Sequence, residues 1–252
     1  MRTYPGRGHR YDLAVVGAGI SGSEAALAAA VAGLDVLLVT TSLDTVYMLA
    51  HERAQLDAPA GTLMSTLTAQ TVLEGERIER WPLHRKAKYA LESQSRIHLL
   101  QSNVTGLIVQ QGQVRGVRTW EGVERQARAT ALCAGSFLEA RLEQGKLHED
   151  SGRLGEMTYD ELFEDLAGRQ VSFDSLTLYL SEHGEGLPYT VSCKVLSANE
   201  MRGFEVDRLP GLYAAGVCAA GALDYEQAAA AGRDLGLALA QELAAASEAG
   251  SE

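Results

Sequence analysis

Large rings are scarce in this chain: 9 Tyr, 4 Phe and 2 Trp make up 6% of 252 residues. Such a core must be filled by Val, Leu, Ile and Ala, and with 26 Gly the balance points to small-residue helices packed closely on a sheet. Cysteine is also sparse. Cys133, Cys193 and Cys218 show no C-x-x-C or metal-ligand spacing, so a reducing, cytoplasmic setting is expected rather than a disulfide framework. The six histidines are dispersed, which leaves a metal site without support. No apolar run reaches the ~20 residues that cross a bilayer. The basic start, Met1 to Arg10, leads into a strand rather than a signal-peptide cleavage site. Positive charge is outnumbered, 22 Lys and Arg against 33 Asp and Glu for a net charge of −11, which argues against a broad nucleic-acid footprint. The local run Arg77, Arg80, Arg85, Lys86 and Lys88 reads as a basic patch or as a solvated helix face.

What is present is an α/β pattern long enough for one large domain and a small subdomain. Residues 1–10 read as a flexible tail. Asp12 to Gly17, "DLAVVG", is a buried parallel strand, Ser21 to Gly33 a helix closed by Gly33, and Asp35 to Thr40, "DVLLVT", a second strand. Together they form a βαβ unit of about 30 residues. Asp44 to Leu56 is consistent with a helix, and Ala58 to Thr68 reads as loop. A helix starting near Pro82 runs to about Ser95, followed by a strand at Ile97 to Leu100. Apolar and polar residues then alternate over 104–128, with turns at Gln111-Gly112 and Glu121-Gly122; this predicts a three-stranded antiparallel meander. Ala129 to Ala134 returns to a buried strand. Residues 139–205 are acidic and weakly patterned and are expected to form a small inserted cap or lobe, with a helix over Thr158 to Ala167. A strand at Gly211 to Ala215, a Gly-rich turn and an Ala-rich helix close the domain, which takes in 11–138 and 206–245. Residues 246–252 read as a solvated tail.

The turn Gly17-x-Gly19-x-x-Gly22 follows a strand and opens a helix. Gly17 permits the turn, Gly19 lets the backbone approach a pyrophosphate, and Gly22 lets helix and strand pack closely. Free amides and the helix dipole favour the anion, while Glu24 is expected on the solvent side. The acid that usually ends the second strand and grips the ribose 2′-hydroxyl is missing; Thr40, Thr41 and Ser42 stand there, with no Arg to favour a 2′-phosphate. A meander in place of a crossover helix, with a late "YAAG" strand returning to the sheet, is the layout of FAD-binding two-dinucleotide-fold flavoproteins. A Rossmann-like FAD-binding fold, a parallel sheet with a β-meander plus the acidic lobe, is therefore expected over a plain NAD domain.

Four stretches, in order, resemble the GidA/MnmG family of flavoproteins that modify the tRNA wobble uridine, and more distantly the TrmFO methyltransferases. They are "YDLAVVGAGISGSEAALAAAVAG", "LVTTSLDTVYM", "HEDSGRLGE" and "GLYAAGVCAAGALDYEQAAAAG". The chain also departs from the family. "LAHERAQLDAPAG" follows where the family has a Cys and a glycine-rich loop, and Val217 stands where it has Gln. The family's insert with its nicotinamide site would fall between 170 and 205, and about 35 residues are too few for a nucleotide-binding domain. Its C-terminal helical region has no counterpart in this sequence.

The resemblance, with the position at the mouth of the sheet, implies that Gly17, Ala18, Gly19, Ile20, Ser21 and Gly22 surround the FAD pyrophosphate. It places Thr40, Thr41 and Ser42 near the adenosine ribose and Val104 beside the adenine. Ala134 and Gly135 would pass close to the cofactor, and Arg153 would balance a phosphate or a flavin carbonyl, or form a surface salt bridge. Gly216, Val217 and the helix start Tyr225, Glu226, Gln227 and Ala228 would meet the flavin. Glu226 reads as a helix cap, and Tyr225 as packing on the flavin or on the core. Cys218 is the one tempting redox residue, though a small buried thiol beside a turn is the favoured reading; Cys133 reads as core, and Cys193 has no assigned role. Two functions follow: a flavin-dependent oxidoreductase using a small-molecule or protein redox partner, or a non-catalytic FAD-binding module or subunit of a larger tRNA-modification system. Charge and the missing regions argue against direct tRNA binding.

Overall fold

The computed structural model describes residues 5–6, 8–50, 56–73, 78–153, 155–180 and 188–249. The expected tails, Arg77 and much of "LAHERAQLDAPAG" therefore lie wholly or partly outside the described residues. The chain opens with β1 (Arg10–Val16), α1 (Ile20–Val31) and β2 (Val36–Thr40), then α2 (Leu63–Leu73), α3 (Arg80–Ser93) and β3 (Ile97–Gln101). The meander follows as β4 (Val104–Gln110), β5 (Gln113–Thr119) and β6 (Glu124–Leu132). Next come β7 (Arg141–Gln144), β8 (Leu147–Glu149), α4 (Asp160–Gly168), β9 (Phe173–Leu180) and β10 (Tyr189–Leu196). The chain ends with β11 (Met201–Arg202), β12 (Glu205–Val206), β13 (Leu212–Ala214), α5 (Val217–Ala220) and α6 (Tyr225–Ala249).

The main sheet runs β11-β12-β13-β6-β1-β2-β3, with β5 and then β4 attached to β6. Its centre is parallel: Val16 lies opposite Val39 on one side and Leu132 on the other, and Ala214 pairs with Leu132. These strands are continuous runs of Val, Leu and Ala because helices cover one face and the meander with α4 covers the other. The third meander strand and the "ATALCA" strand are one element. The start of β6 pairs antiparallel with β5 (Val117 opposite Arg125), while the rest runs parallel between β1 and β13. The carboxyl ends of β1, β6 and β13 therefore lie side by side, which is where open α/β sheets bind ligands.

Three readings of local structure are corrected. Residues 44–50 form turns rather than a helix, because their backbone groups bond to other parts of the fold. Part of the expected loop 58–68 is the start of α2, whose Thr68 and Thr71 hydroxyls return to carbonyls one turn back; their polarity had suggested loop. The weakly patterned stretch 139–205 contains a separate four-stranded sheet, β8-β7-β10-β9. Its small core of Leu142, Tyr189, Val191, Cys193 and Val195 gives Cys193 a packing role. Helix α4 instead joins the main sheet's second face: Leu162 and Leu166 share a core with Val104 and Leu107, and Asp165 accepts from the Leu107 amide at 3.0 Å.

Helix α1 is packed on both sides, against the sheet and against α6. A Cβ on Gly232 of α6 would stand 2.1 Å from the Ser21 carbonyl oxygen, so the two backbones meet without side chains between them. The Ser21 hydroxyl donates to the Ala228 carbonyl at 2.9 Å across the same contact. Gly232→Ala must push the helices apart and should cost about 1–3 kcal/mol of stability, read from denaturant melts. Gly168→Ala, at the exposed end of α4 with nothing within 4 Å of the new methyl, should change stability by less than about 0.5 kcal/mol.

Candidate functional site: a two-chambered cleft

Glycine turns leave the ends of β1, β6 and β13 and open a cleft with two chambers. The wider, about 290 Å³, is lined by Gly19, Ile20 and Ser21 from the first turn and by Gly216, Val217, Leu223, Asp224, Tyr225 and Ala228 from the last. The narrower, about 60 Å³, is lined by Gly17, Ala18, Thr40, Thr41, Thr45, Ala134, Glu156 and Tyr159. Gly19, Cys133, Gly135, Phe137 and Arg153 border both, so the chambers are adjacent. Opposite ends of the polypeptide thus form one concave site.

Most of the expected site residues meet there; five do not line either chamber. Gly22 lies inside the βα turn, where a Cβ would be 1.8 Å from the Gly17 oxygen. Ser42 turns its carbonyl to the Thr40 hydroxyl (3.1 Å) and its own hydroxyl to the Asp44 amide. Val104 is fully buried in the β4 core. Asp224, not Glu226, caps α6: its carboxylate accepts from the Gln227 amide at 2.7 Å while the Gln227 side chain accepts from the Asp224 amide at 3.1 Å. This reciprocal capping box places a carboxylate at the start of the helix that had been expected to meet the flavin. Glu226 accepts from the Asp57 amide at 3.3 Å.

The first turn of α1 is different. Its N-cap is Gly19, without a side-chain capping bond, so its leading amides keep their capacity for an anion. Arg153 adds to this. Its guanidinium donates to the Met48 carbonyl at 3.2 Å, yet Nη1 is buried without a hydrogen-bond partner, although it lies 3.2 Å from a Glu156 carboxylate oxygen. The ion pair is real in distance but poorly aligned as a hydrogen bond, which leaves a buried cationic donor on the border of both chambers. Uncapped amides and this orphaned donor suit a pyrophosphate. The apolar wider chamber is near the lower end of the ~300–1,000 Å³ usual for ligand pockets and suits a flat ring system. The residues present therefore fit FAD.

The segment after β2 forms one wall, and nothing in the sequence periodicity marks it. Tyr47 adopts a left-handed backbone (φ 58°), which costs about 1–3 kcal/mol and persists only when its surroundings impose it. Its amide donates to the Ala18 carbonyl at 2.9 Å, the Val46 carbonyl contacts His84 Nδ1 at 2.6 Å, and its phenol donates to Glu24. Glu24 is not on the solvent side: it is 2% exposed, because α6 and this segment enclose α1. Its carboxylate also accepts from the Leu63 and Met64 amides at 2.7 and 2.9 Å, capping α2 together with the local Thr62, whose hydroxyl accepts from the Ser65 amide at 3.0 Å. Burial raises the Glu24 pKa above its ordinary 4.5, opposed by Tyr47, the two amides and Arg233. Burial likewise raises Glu156, opposed by Arg153 and Thr45. The thiols are protonated: Cys218 is pushed up to about 12 and Cys193 to about 11, and Cys133 higher still, all by burial first. Cys218 is thus a packed thiol. Among the described residues no His, Cys, Asp and Glu cluster could hold a metal ion, and no helix is long and apolar enough to cross a membrane.

A carboxyl whose folded pKa exceeds its unfolded value binds its proton more tightly when folded. Its stabilising contribution is complete below the unfolded pKa and is lost as pH rises through the folded one. Stability should therefore decline as pH rises above the ordinary 4.5, and Glu24→Gln should flatten that decline. Equal slopes in denaturant melts of the two proteins across this range would contradict the assignment.

Comparison with known proteins agrees with this geometry. The family profile described as "Glucose inhibited division protein A" matches residues 12–181. The chain is 31% identical over 189 residues to a tRNA uridine 5-carboxymethylaminomethyl modification enzyme MnmG of Geobacter metallireducens, covering 65% of this chain and 30% of that protein. It therefore spans roughly a third of the length of such relatives. The crystal structure of the GidA-related protein from Thermus thermophilus superposes with a TM-score of 0.83 at 35% identity, covering 92% of this chain and 99% of that one. Aquifex aeolicus GidA shares the fold, with a TM-score of 0.82 at 16% identity over 94% of this chain and 64% of that one. Sequence and fold converge: the chain belongs to the GidA family, an FAD-binding flavoprotein family with a Rossmann-like α/β fold.

Proposed function

We propose that the cleft holds FAD stretched across both chambers and that the protein is a flavin-dependent oxidoreductase. The observation that carries this reading is the convergence of two distant glycine turns, after β1 and after β13, on a pair of adjoining chambers that Arg153 borders. In this arrangement the amides of Ile20 and Ser21 and the Arg153 guanidinium bind the pyrophosphate. Thr40 and Thr41 border the adenosine half. Gly216, Val217, Tyr225 and Ala228 orient the ring half, and Leu178 and Leu180 of β9, with Phe137, limit water at its rim. Bound FAD would supply electron or hydride transfer at its isoalloxazine.

A second reading, a non-catalytic FAD-binding module or a subunit beside a larger tRNA-modifying enzyme, is favoured by the buried, protonated thiols: no described cysteine offers a thiolate to exchange electrons with a flavin. It also gives the MnmG resemblance a role without direct tRNA binding by an acidic chain.

The purified protein should carry a yellow chromophore released on denaturation as FAD, not FMN or NAD. Arg153→Met should weaken FAD binding on the order of 10–100-fold, the value of a lost charge-assisted contact. Reversible anaerobic bleaching by NADH or NADPH supports the oxidoreductase; a bound flavin that no reductant turns over supports the module. A protein that binds no flavin contradicts both.

A further inference from the structure

Strand β2 ends in Thr40-Thr41-Ser42, so it brings no carboxylate to the place where dinucleotide folds grip a ribose hydroxyl. The fold delivers one from over a hundred residues away. Glu156 follows the Gly155 turn, just before the Ser151↔Met157 bridge closes, and lines the narrow chamber with Gly17, Ala18, Thr40 and Thr41. Its side chain is 12% exposed. The Thr45 hydroxyl donates to Oε2 at 3.1 Å, and Arg153 Nη1 lies 3.2 Å from Oε1. Thr45 comes from the segment that Tyr47 anchors, so the carboxylate is held from both sides. Each carboxylate oxygen has two acceptor positions, and these partners leave at least one free on each. Tyr159, on the same chamber wall, is bonded to Thr41, which fixes the threonine side of the chamber.

We propose that Glu156 replaces the missing β2 acid: it accepts hydrogen bonds from the adenosine ribose diol and makes the site select a nucleotide with a free 2′-hydroxyl. This rests on the FAD reading. A carboxylate there pairs with a hydroxyl donor and repels a 2′-phosphate, so one residue provides both attraction and exclusion. Arg153 has a double part, since the guanidinium that offers a donor to the pyrophosphate also opposes the burial that raises the Glu156 pKa.

The test measures binding of FAD, of FAD carrying 2′-deoxyadenosine, and of FMN to apo-protein by flavin fluorescence, for wild type, Glu156→Gln and Glu156→Ala. Wild type should bind the 2′-deoxy analogue on the order of 10–100-fold more weakly than FAD. Glu156→Ala should bind FAD and the analogue alike, Glu156→Gln, whose amide oxygen still accepts a hydrogen bond, should show a reduced difference, and all three proteins should bind FMN equally. The ratio of the two ligands is taken within each protein, so a partly folded variant does not distort it. A wild-type ratio near one, or an unchanged ratio in the variants, overturns the role of Glu156 while leaving FAD binding intact. Wild type that binds none of the three flavins overturns the FAD reading and this inference with it.

Discussion

The close contact between α1 and α6 is the constraint from which the site follows. Gly232 meets the Ser21 carbonyl and Gly236 meets that of Ala25, at separations where a Cβ would stand 2.1 and 2.4 Å from oxygen. This proximity sets the glycine turn after β1 beside the turn after β13. The chain must travel through the meander, α4 and a second sheet before α6 can form, yet the last helix returns to the first turn. Sheet order contributes equally, because β13 pairs with β6 and β6 with β1. Small residues at the helix contact and parallel pairing at the strand ends together bring two remote loops to one edge.

A second set of interactions fixes the wall that the segment after β2 gives to the cleft. The buried Glu24 carboxylate gathers the Tyr47 phenol and the first amides of α2, so a helix from one part of the chain is capped by a side chain from another. Placing a carboxylate in the interior is costly unless several donors satisfy it, and three do so here. The strained backbone at Tyr47 belongs to the same cluster. Thr45 and Met48, on either side of it, reach Glu156 and Arg153, so the core of α1 is connected to the polar end of the cleft.

The features legible in the sequence were those encoded locally. The βαβ unit, the meander and the Ala-rich last helix each carry a short-range period or turn signal, and the four family-like stretches appear in order. What escaped was encoded at long range. Glu24 sits in a helix whose composition does not show that both sides are covered, so only the structure reveals it as buried. Residues 44–50 have helix-compatible composition, but their carbonyls and amides are used by Ala18, His84 and Arg153. The Thr-rich start of α2 resembled loop because its hydroxyls bond back to the helix, and because a remote carboxylate adds to the local Thr62 cap. Strand β10 is an exception, because Tyr189, Val191, Cys193 and Val195 alternate with Thr190, Ser192 and Lys194 and are the residues buried in the small core. Glu156 stood at the end of a quoted stretch, but its meeting with Thr45 depends on two loops folding together.

The central claim is that both glycine turns hold one cofactor. A crystal structure of the protein grown with FAD tests it most directly. The account predicts electron density for the pyrophosphate at the amides of Ile20 and Ser21, with the isoalloxazine in the wider chamber beside Gly216 and Tyr225. Density for FAD elsewhere on the molecule, or a cleft closed by its own side chains in the presence of saturating flavin, would contradict it.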